Sequence, residues 1–452
     1  MLKIDTEKYT KELFELLSIP SISAQTKHKN DIQNACKWLS KRLKTLKFNT
    51  KILPTQGHPV VYGENLNAGD DKPTILIYGH YDVQDPGDPK EWTSNPFKPE
   101  VRSGNIYARG ASDDKGNFYT WIAAIDTLFN ESKSLPVNVK FLIEGEEEVA
   151  SQNLHEFVSE NKSLLEADFV AVSDTDCLSE SQPLITYGLR GIVYYEIKVK
   201  TLTKDVHSGT YGGNVLNPIN VLSSVISKIK DDKHKILIPG AYDNLRKISS
   251  SEMKKIEKLP LDEKNVLQET GAYKVVGEKG YSVIERKGTR PTFDVNGIWG
   301  GYQEEGPKTI IPSTARAKLS FRLVPNQNAD EFSKKFEIYI DNITPEGAKI
   351  NLELLGADNP IVMNLENDFY KSAEKAIQKI FGTKPIYQLV GGSIPATSIF
   401  KEVLGLESLL MGYALPDDAH HSPNEKMSLS MFNKGIETNI EFINDLSKTY
   451  KR

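Results

Sequence analysis

Residues 74–83 read TILIYGHYDV, an apolar run that ends on a histidine and an aspartate. Such a run closed by Gly79 predicts a buried strand. His80 and Asp82 stand one residue apart just past it, so an extended backbone points both side chains the same way. The arrangement recurs along the chain. VKFLIEG (139–145) runs into Glu146, Glu147 and Glu148, DFVAVS (168–173) into Asp174, and ESLLMGY (407–413) precedes His420 and His421, while Asp113 and Asp114 follow a Gly-bounded turn in ARGASDDKGN. Open α/β sheets bind ligands beyond the carboxyl ends of their strands, so side chains that trail separate strands converge in one crevice. Histidines and carboxylates gathered in this way form the donor set of two closely spaced divalent cations.

Working outward, Leu13, Phe14 and Leu17 share one helical face, and Ile32, Ala35, Cys36, Leu39, Leu43 and Leu46 recur at three- and four-residue intervals. HPVVYG (58–63) reads as a strand and GNFYTWIAAIDTLFN as a helix. Strands alternating with helices predict a parallel or mixed sheet. The pattern changes after residue 185. ITYGLRGIVYYEIKVKT gives two strands in succession, NPINVLSSVISKIK a helix, and TARAKLSFRLVP and KINLELLG further strands around a helix near 332–343. From about 362 the helix FYKSAEKAIQKIFG returns, followed by the strand KPIYQLV and a closing helix from Leu429. The expected fold is α/β: a discontinuous domain, 1–185 and 362–452, with a central mostly parallel sheet flanked by helices, and an inserted α+β domain, 186–361. Residues 240–305, rich in Gly and Lys, yield no clear pattern.

A chain of 452 residues is too long for one ordinary core. Lys plus Arg total 56 against 61 for Asp plus Glu, which argues against nucleic acid as a partner, since binding it needs a basic face. The basic stretch 41–51 is broken by Leu43 and Leu46 and reads as the solvated side of a helix. Cys36 and Cys177 are the two cysteines, too few for a disulfide framework or zinc-finger spacing. The first residues carry no apolar signal core, and no run approaches the roughly 18 to 20 apolar residues of a membrane span. A cytoplasmic protein without membrane contact is expected.

Each cluster also has a bland reading. Asp114 is placed to cap the following helix, the three glutamates suit a surface helix start, and one of His420 and His421 is left for solvent. Competing sites fail on spacing: His155 and Glu156 lack a histidine at 159, where Ser159 stands, and there is no G-x-S-x-G elbow, Walker loop or G-x-G-x-x-G after a strand.

Taken together, GHYDVQ, WTSNPF, YARGASDDKG, EGEEE, VSD, ITYGLRG, DVHSGTYGG, FRLVP, GGSIPATSIF and HHSPNEK, in this order between residues 55 and 426, resemble the di-zinc metallopeptidases related to carnosinase, aminoacylase and succinyl-diaminopimelate desuccinylase. The resemblance is strongest to carnosinase-like dipeptidases. It implies two Zn²⁺ per subunit, with Mn²⁺ or Co²⁺ as substitutes: His80, Asp113 and Asp174 on one cation, and Asp113, Glu148 and His421 on the other. It makes Glu147 the general base, Asp82 the support of His80, and the Asp113–Asp114 peptide cis. It makes the inserted segment a lid and dimerisation domain, whose His207 stabilises the oxyanion in the neighbouring subunit of a homodimer. Arg322 and the loop Gly391, Gly392, Ser393 are implied to hold the substrate carboxylate.

The implied reaction is amide hydrolysis in dipeptides or short peptides with a free C-terminal carboxylate. Deacylation of N-acyl amino acids by the same chemistry is the alternative, and a peptide-binding homologue without catalysis is a third reading, against which Glu147 stands. Two departures bear on substrate choice. Leu389 and Val390 stand where relatives carry Arg-Glu before G-G-S-I-P, and residues 357–359 lack a histidine that some relatives have.

Overall fold

The strand Thr74–His80 is buried along its whole length because it lies inside a sheet, parallel to Asn138–Glu144 on one side and to Phe169–Val172 on the other. In the computed structural model, which describes residues 3–392 and 394–450, Ser408–Leu410 extends this parallel set past Phe169–Val172. Antiparallel strands flank the four: Val60–Asn65 and then Asn49–Leu53 beyond Asn138–Glu144, and Leu184–Leu189 beyond Ser408–Leu410, with Ile386–Val390 paired to Leu184–Leu189. A strand covered on both faces needs apolar residues at every position, so these runs read as unbroken rather than alternating. Parallel strands also put their carboxyl ends at one edge, which is where His80, the glutamates after Gly145, and Asp174 emerge.

The helix Lys115–Ser132 is buried from Lys115 to Leu128. Trp121 donates to Ser173 Oγ at 2.7 Å and meets Phe442 of the closing helix Leu429–Thr449 edge-on at 5.9 Å. Asn439 of that helix donates to Thr120 Oγ1 and accepts from Tyr413 Oη. Trp121, Asn439 and Tyr413 thus pair their buried polar atoms, as burial requires. Two motif glycines are there for space. A Cβ on Gly116 would lie 1.8 Å from the Ala111 carbonyl oxygen, and one on Gly79 would lie 2.6 Å from Phe118 Cβ. The turn carrying Asp113 and Asp114 therefore presses against the strand end carrying His80.

Two compact units make up the chain: Met1–Tyr187 with Met363–Gln388 and Pro395–Arg452, and Gly188–Val362 with Leu389–Ile394. The second unit is built on a four-stranded antiparallel sheet in the order Thr292–Gly300, Thr314–Leu323, Gly191–Lys200, Lys349–Asp358. Strict alternation of buried and half-buried residues along most of Gly191–Lys200 marks a sheet covered on one face. Helices Pro218–Ile229 and Ala329–Ile343 supply that cover, with Leu222, Val225, Phe332 and Phe336 in one core with Tyr195, Ile197 and Phe321.

Some local expectations are revised. The basic stretch 41–51 is not one helical face: the helix Lys29–Thr45 ends inside it, Lys47 turns at positive φ, and Lys51 lies on the strand Asn49–Leu53. Phe14 is only half buried, while Tyr9, Leu13, Leu16 and Leu17 form the buried face of its helix. The segment 240–305 holds three short helices and the edge strand Thr292–Gly300. Among the described residues no helix is long and apolar enough to cross a membrane.

Candidate metal centre

His80 ends its strand fully buried. Its Nδ1 lies 3.1 Å from the backbone carbonyl of Asp82 and 3.4 Å from Asp82 Oδ1, so Nδ1 is the donor on this ring and Nε2 is the nitrogen left to meet a cation. Nε2 is buried with no hydrogen-bond partner, yet it faces Asp113 Oδ1 at 3.2 Å and Asp174 Oδ2 at 4.0 Å. The other oxygen of Asp113 lies 2.9 Å from His421 Nε2, which is itself 3.1 Å from Glu148 Oε2. The five residues expected to ligate metal thus form one chain of neighbours, Asp174, His80, Asp113, His421 and Glu148, with Asp113 in the middle and one carboxylate oxygen turned to each histidine. Single donor atoms of His80, Asp113 and Glu148 all fall within 4.8 Å of one another.

The electrostatics fit a cation at each end of Asp113. Burial, then the charge of Asp113, pushes Asp174 up to about 7. Burial also raises Glu147 well above the ordinary carboxylate range, with His80 opposing and Asp174, Glu148 and Asp113 adding to the shift. Burial works against charge on Asp113 as well, but the hydrogen bond from His421 and the charge of His80 hold it below its ordinary value. His421 is pushed up to about 10 by Asp113 and Glu148. For His80 burial opposes charging, and Asp113 and Asp82 outweigh it. Carboxylates crowded this closely repel unless positive charge intervenes. Protons on the imidazoles supply some of it, and metal ions displace such protons when they bind. The buried Nε2 of His80 and the split orientation of Asp113 both fit a pair of hard or borderline cations.

Several side chains have tasks that spacing did not reveal. Asp82 was expected to orient His80, but the nearer acceptor on that ring is its own backbone carbonyl. Its carboxylate faces the ring at 3.4 Å and also accepts from the backbone N–H of Glu147 at 3.3 Å and of Glu148 at 3.1 Å, fixing the acidic loop. Gln84 donates to Glu148 Oε2 at 2.9 Å. Asp114 stands at the start of its helix without capping it through its side chain; Oδ2 accepts from the His80 N–H at 3.2 Å instead. The Asp113–Asp114 peptide is cis. Of the two adjacent histidines, His421 reaches the cluster at a left-handed φ of 57°, whereas Nε2 of His420 is buried without a partner.

Glu425 was overlooked altogether. One of its oxygens accepts from the N–H groups of Ser112 and Asp113 at 3.0 and 3.1 Å, and the other from Gly110 N–H at 2.9 Å and Arg109 Nη1 at 2.8 Å. The signal was present, since Glu425 lies in the same HHSPNEK motif as His421.

The remaining site candidates lie in the second unit. His207 is exposed; its Nδ1 accepts from Gly209 N–H at 3.0 Å and its Nε2 lies 3.4 Å from Thr309 Oγ1. Arg322 is partly buried on Thr314–Leu323, where burial lowers its pKa and Asp294 opposes the shift. Gly391 and Gly392 follow Ile386–Val390, and Ser393 lies outside the described residues.

Comparison with known proteins agrees with this geometry. Residues 76–445 match the family described as Peptidase family M20/M25/M40. The Cys-Gly metallodipeptidase DUG1 of Candida albicans is 32% identical, covering 95% of this chain and 93% of the relative. Human Beta-Ala-His dipeptidase is 30% identical, covering 87% of this chain and 78% of the relative. The crystal structure of the metallo-carboxypeptidase Sso-CP2 from Sulfolobus solfataricus superimposes with a TM-score of 0.87 at 31% identity, covering 97% of this chain and 99% of that one. With the family match running through every residue of the cluster from His80 to His421, the chain belongs to peptidase family M20/M25/M40.

Proposed function

We propose that this protein is a di-zinc dipeptidase that hydrolyses the amide bond of dipeptides or short peptides with a free C-terminal carboxylate. The observation that carries the reading is Asp113, whose two oxygens face His80 and His421 separately. The family supports peptide hydrolysis, and relatives named as dipeptidases favour it over deacylation of N-acyl amino acids.

His80, Asp113 and Asp174 would hold one cation, and Asp113, Glu148 and His421 the other, with Mn²⁺ or Co²⁺ able to replace Zn²⁺. When bound, such a pair supplies Lewis acidity, polarising a carbonyl and lowering the pKa of water from about 15.7 toward about 7. Glu147 takes a proton from the attacking water on a carboxylate oxygen as the water oxygen bonds to the carbonyl carbon. It returns that proton to the amine nitrogen as the C–N bond breaks. Burial raises the pKa of Glu147, which suits a group that must both accept and release a proton. A positioned base contributes roughly 10² to 10⁴ in rate, about 3 to 5 kcal/mol.

In this reading 1–185 with 362–452 is the catalytic domain and 186–361 a lid and dimerisation domain of a cytoplasmic homodimer. His207 stabilises the oxyanion, while Arg322 with Gly391, Gly392 and Ser393 holds the substrate carboxylate. The motif resemblance supports these roles.

The test has two arms. Glu147→Gln retains two metal ions per chain by elemental analysis but loses at least a hundredfold in kcat; near-normal turnover removes Glu147 from its role. In a panel of dipeptides against N-acetyl and N-succinyl amino acids, turnover of the acyl compounds alone overturns the dipeptidase reading.

A further inference from the structure

The second unit holds a cavity of about 290 Å³ beside the helix Val283–Thr289 and the edge strand Thr292–Gly300. Five cationic side chains line it, Arg190, Lys230, Arg286, Lys287 and Arg290, against two carboxylates, Glu278 and Asp294, a formal surplus of three positive charges. One pair cancels, because Arg290 makes a two-pronged contact with Glu278 at 2.7 and 2.5 Å. Arg190, Lys230 and Arg286 direct their hydrogen bonds to backbone carbonyls instead: Arg190 to Arg286 and Arg290, Arg286 to Glu278 and Val276, and Lys230 to Phe293. A carbonyl satisfies a donor but leaves its charge standing.

Arg190 is the most exacting of these groups. Its Nε is buried with no partner, and burial together with the like charge of Arg322 brings its pKa down to about 10. Asp294 is the one carboxylate that offsets the shift, and a buried guanidinium nitrogen without an acceptor is costly unless a further anion completes it.

The cavity adjoins the loop proposed to hold substrate. Arg190 N–H donates to the Val390 carbonyl at 3.2 Å, and Lys287 Cε lies 4.0 Å from where a Cβ on Gly391 would stand. Val390 is the position at which the resemblance expects an acidic residue. Its apolar side chain adds no negative charge to this wall.

We propose that Arg190 and Lys287 form an anion subsite beside the Gly391–Gly392 loop that takes the side-chain carboxylate of the substrate's C-terminal residue, so that the enzyme prefers dipeptides ending in aspartate or glutamate. The proposal rests on the dipeptidase reading and on Arg322 and the glycine loop holding the main-chain carboxylate. Two carboxylates on one residue then meet Arg322 on one side and Arg190 with Lys287 on the other.

The test compares alanyl-glutamate with the nearly isosteric alanyl-glutamine on the Zn²⁺-loaded protein. The expected kcat/KM ratio is at least tenfold in favour of glutamate and is carried mainly by KM. Lys287→Met cuts that ratio at least threefold, and Arg190→Lys, which keeps the charge but loses the planar fork, lowers it as well. Taking a ratio cancels general damage to fold or metal centre. Equal kcat/KM for the two dipeptides, or a ratio that neither variant moves, overturns the subsite.

Glutarate, titrated calorimetrically without any turnover, separates this failure from that of the parent reading. Saturable binding weakened at least threefold by Lys287→Met supports the subsite, and binding indifferent to the substitution refutes it. Glutarate bound in that sensitive manner by a protein that turns over no dipeptide would overturn the dipeptidase reading while leaving the subsite in place.

Discussion

Replacing Glu425 by Gln tests how the metal-binding turn is held. Glu425 is fully buried and Arg109 is 1% exposed. The carboxylate accepts five hydrogen bonds of 2.8 to 3.3 Å, from Arg109, Gly110, the N–H and hydroxyl of Ser112, and Asp113. Glutamine keeps the volume but turns one oxygen into an amide nitrogen, which cannot accept. Two or three donors on that side lose their partner, and Arg109 loses its counter-charge whichever way the amide is turned. An unsatisfied buried donor costs about 1–3 kcal/mol, and removing one member of a buried ion pair about 3–5 kcal/mol. These penalties describe largely the same loss, so the expected destabilisation is about 3–5 kcal/mol, a large part of the roughly 5–15 kcal/mol available to a folded domain.

The assay is urea unfolding of the chelator-treated protein followed by tryptophan fluorescence, since Trp38, Trp92 and Trp121 all lie in the first unit. Zn²⁺ affinity should weaken in parallel, because one of these hydrogen bonds fixes the backbone of Asp113 itself. Adding Arg109→Met to Glu425→Gln should return part of the stability, as removing both charges leaves neither stranded. A loss below 1 kcal/mol with unchanged Zn²⁺ affinity would refute the reasoning.

Other outcomes follow from the motif resemblance and from burial. His207→Ala should abolish most activity with an unchanged circular dichroism spectrum, and mixing it with an Asp113→Ala chain should restore part of the activity if the histidine acts across subunits; no complementation assigns it to its own chain. Chelation should lower the melting temperature and Zn²⁺ restore it, since a ligand at 100 times its Kd contributes about 2.7 kcal/mol; a melting temperature indifferent to Zn²⁺ contradicts the cluster as a binding site. Both thiols are buried, and burial pushes Cys36 to about 11 and Cys177 to about 12 from an ordinary 9.0. Native protein should therefore resist iodoacetamide at pH 8 until urea exposes both groups. A thiol whose folded pKa is raised holds its proton more tightly than the open chain does, so this contribution to stability is intact below pH 9 and fades as pH rises toward 11 to 12. Stability that grows with pH over that interval would contradict the burial.

Reading from sequence succeeded where a local rule governs the backbone. Thr74–His80, Asn138–Glu144 and Phe169–Val172 were legible because a doubly covered strand must be apolar throughout. The donors were legible because they sit at the carboxyl ends of such strands. Thr292–Gly300 was not legible: it is an edge strand with mostly exposed or half-exposed residues and a bulge between Val295 and Gly297, so it shows neither an apolar run nor clean alternation.

The sequence by itself determined most elements outside 240–305, the donor types and the order of the motifs, because periodicity and turn chemistry act over a few residues. Only the tertiary structure decided which donors meet. It set His421, which the motif resemblance had already named, against Asp113, gave the Asp82 carboxylate the backbone of Glu147 and Glu148 as further partners, and brought Glu425 to a residue 312 positions away. Those choices turn on hydrogen-bond distances of about 3 Å between remote segments, and no local periodicity encodes which buried acceptor a distant N–H will reach.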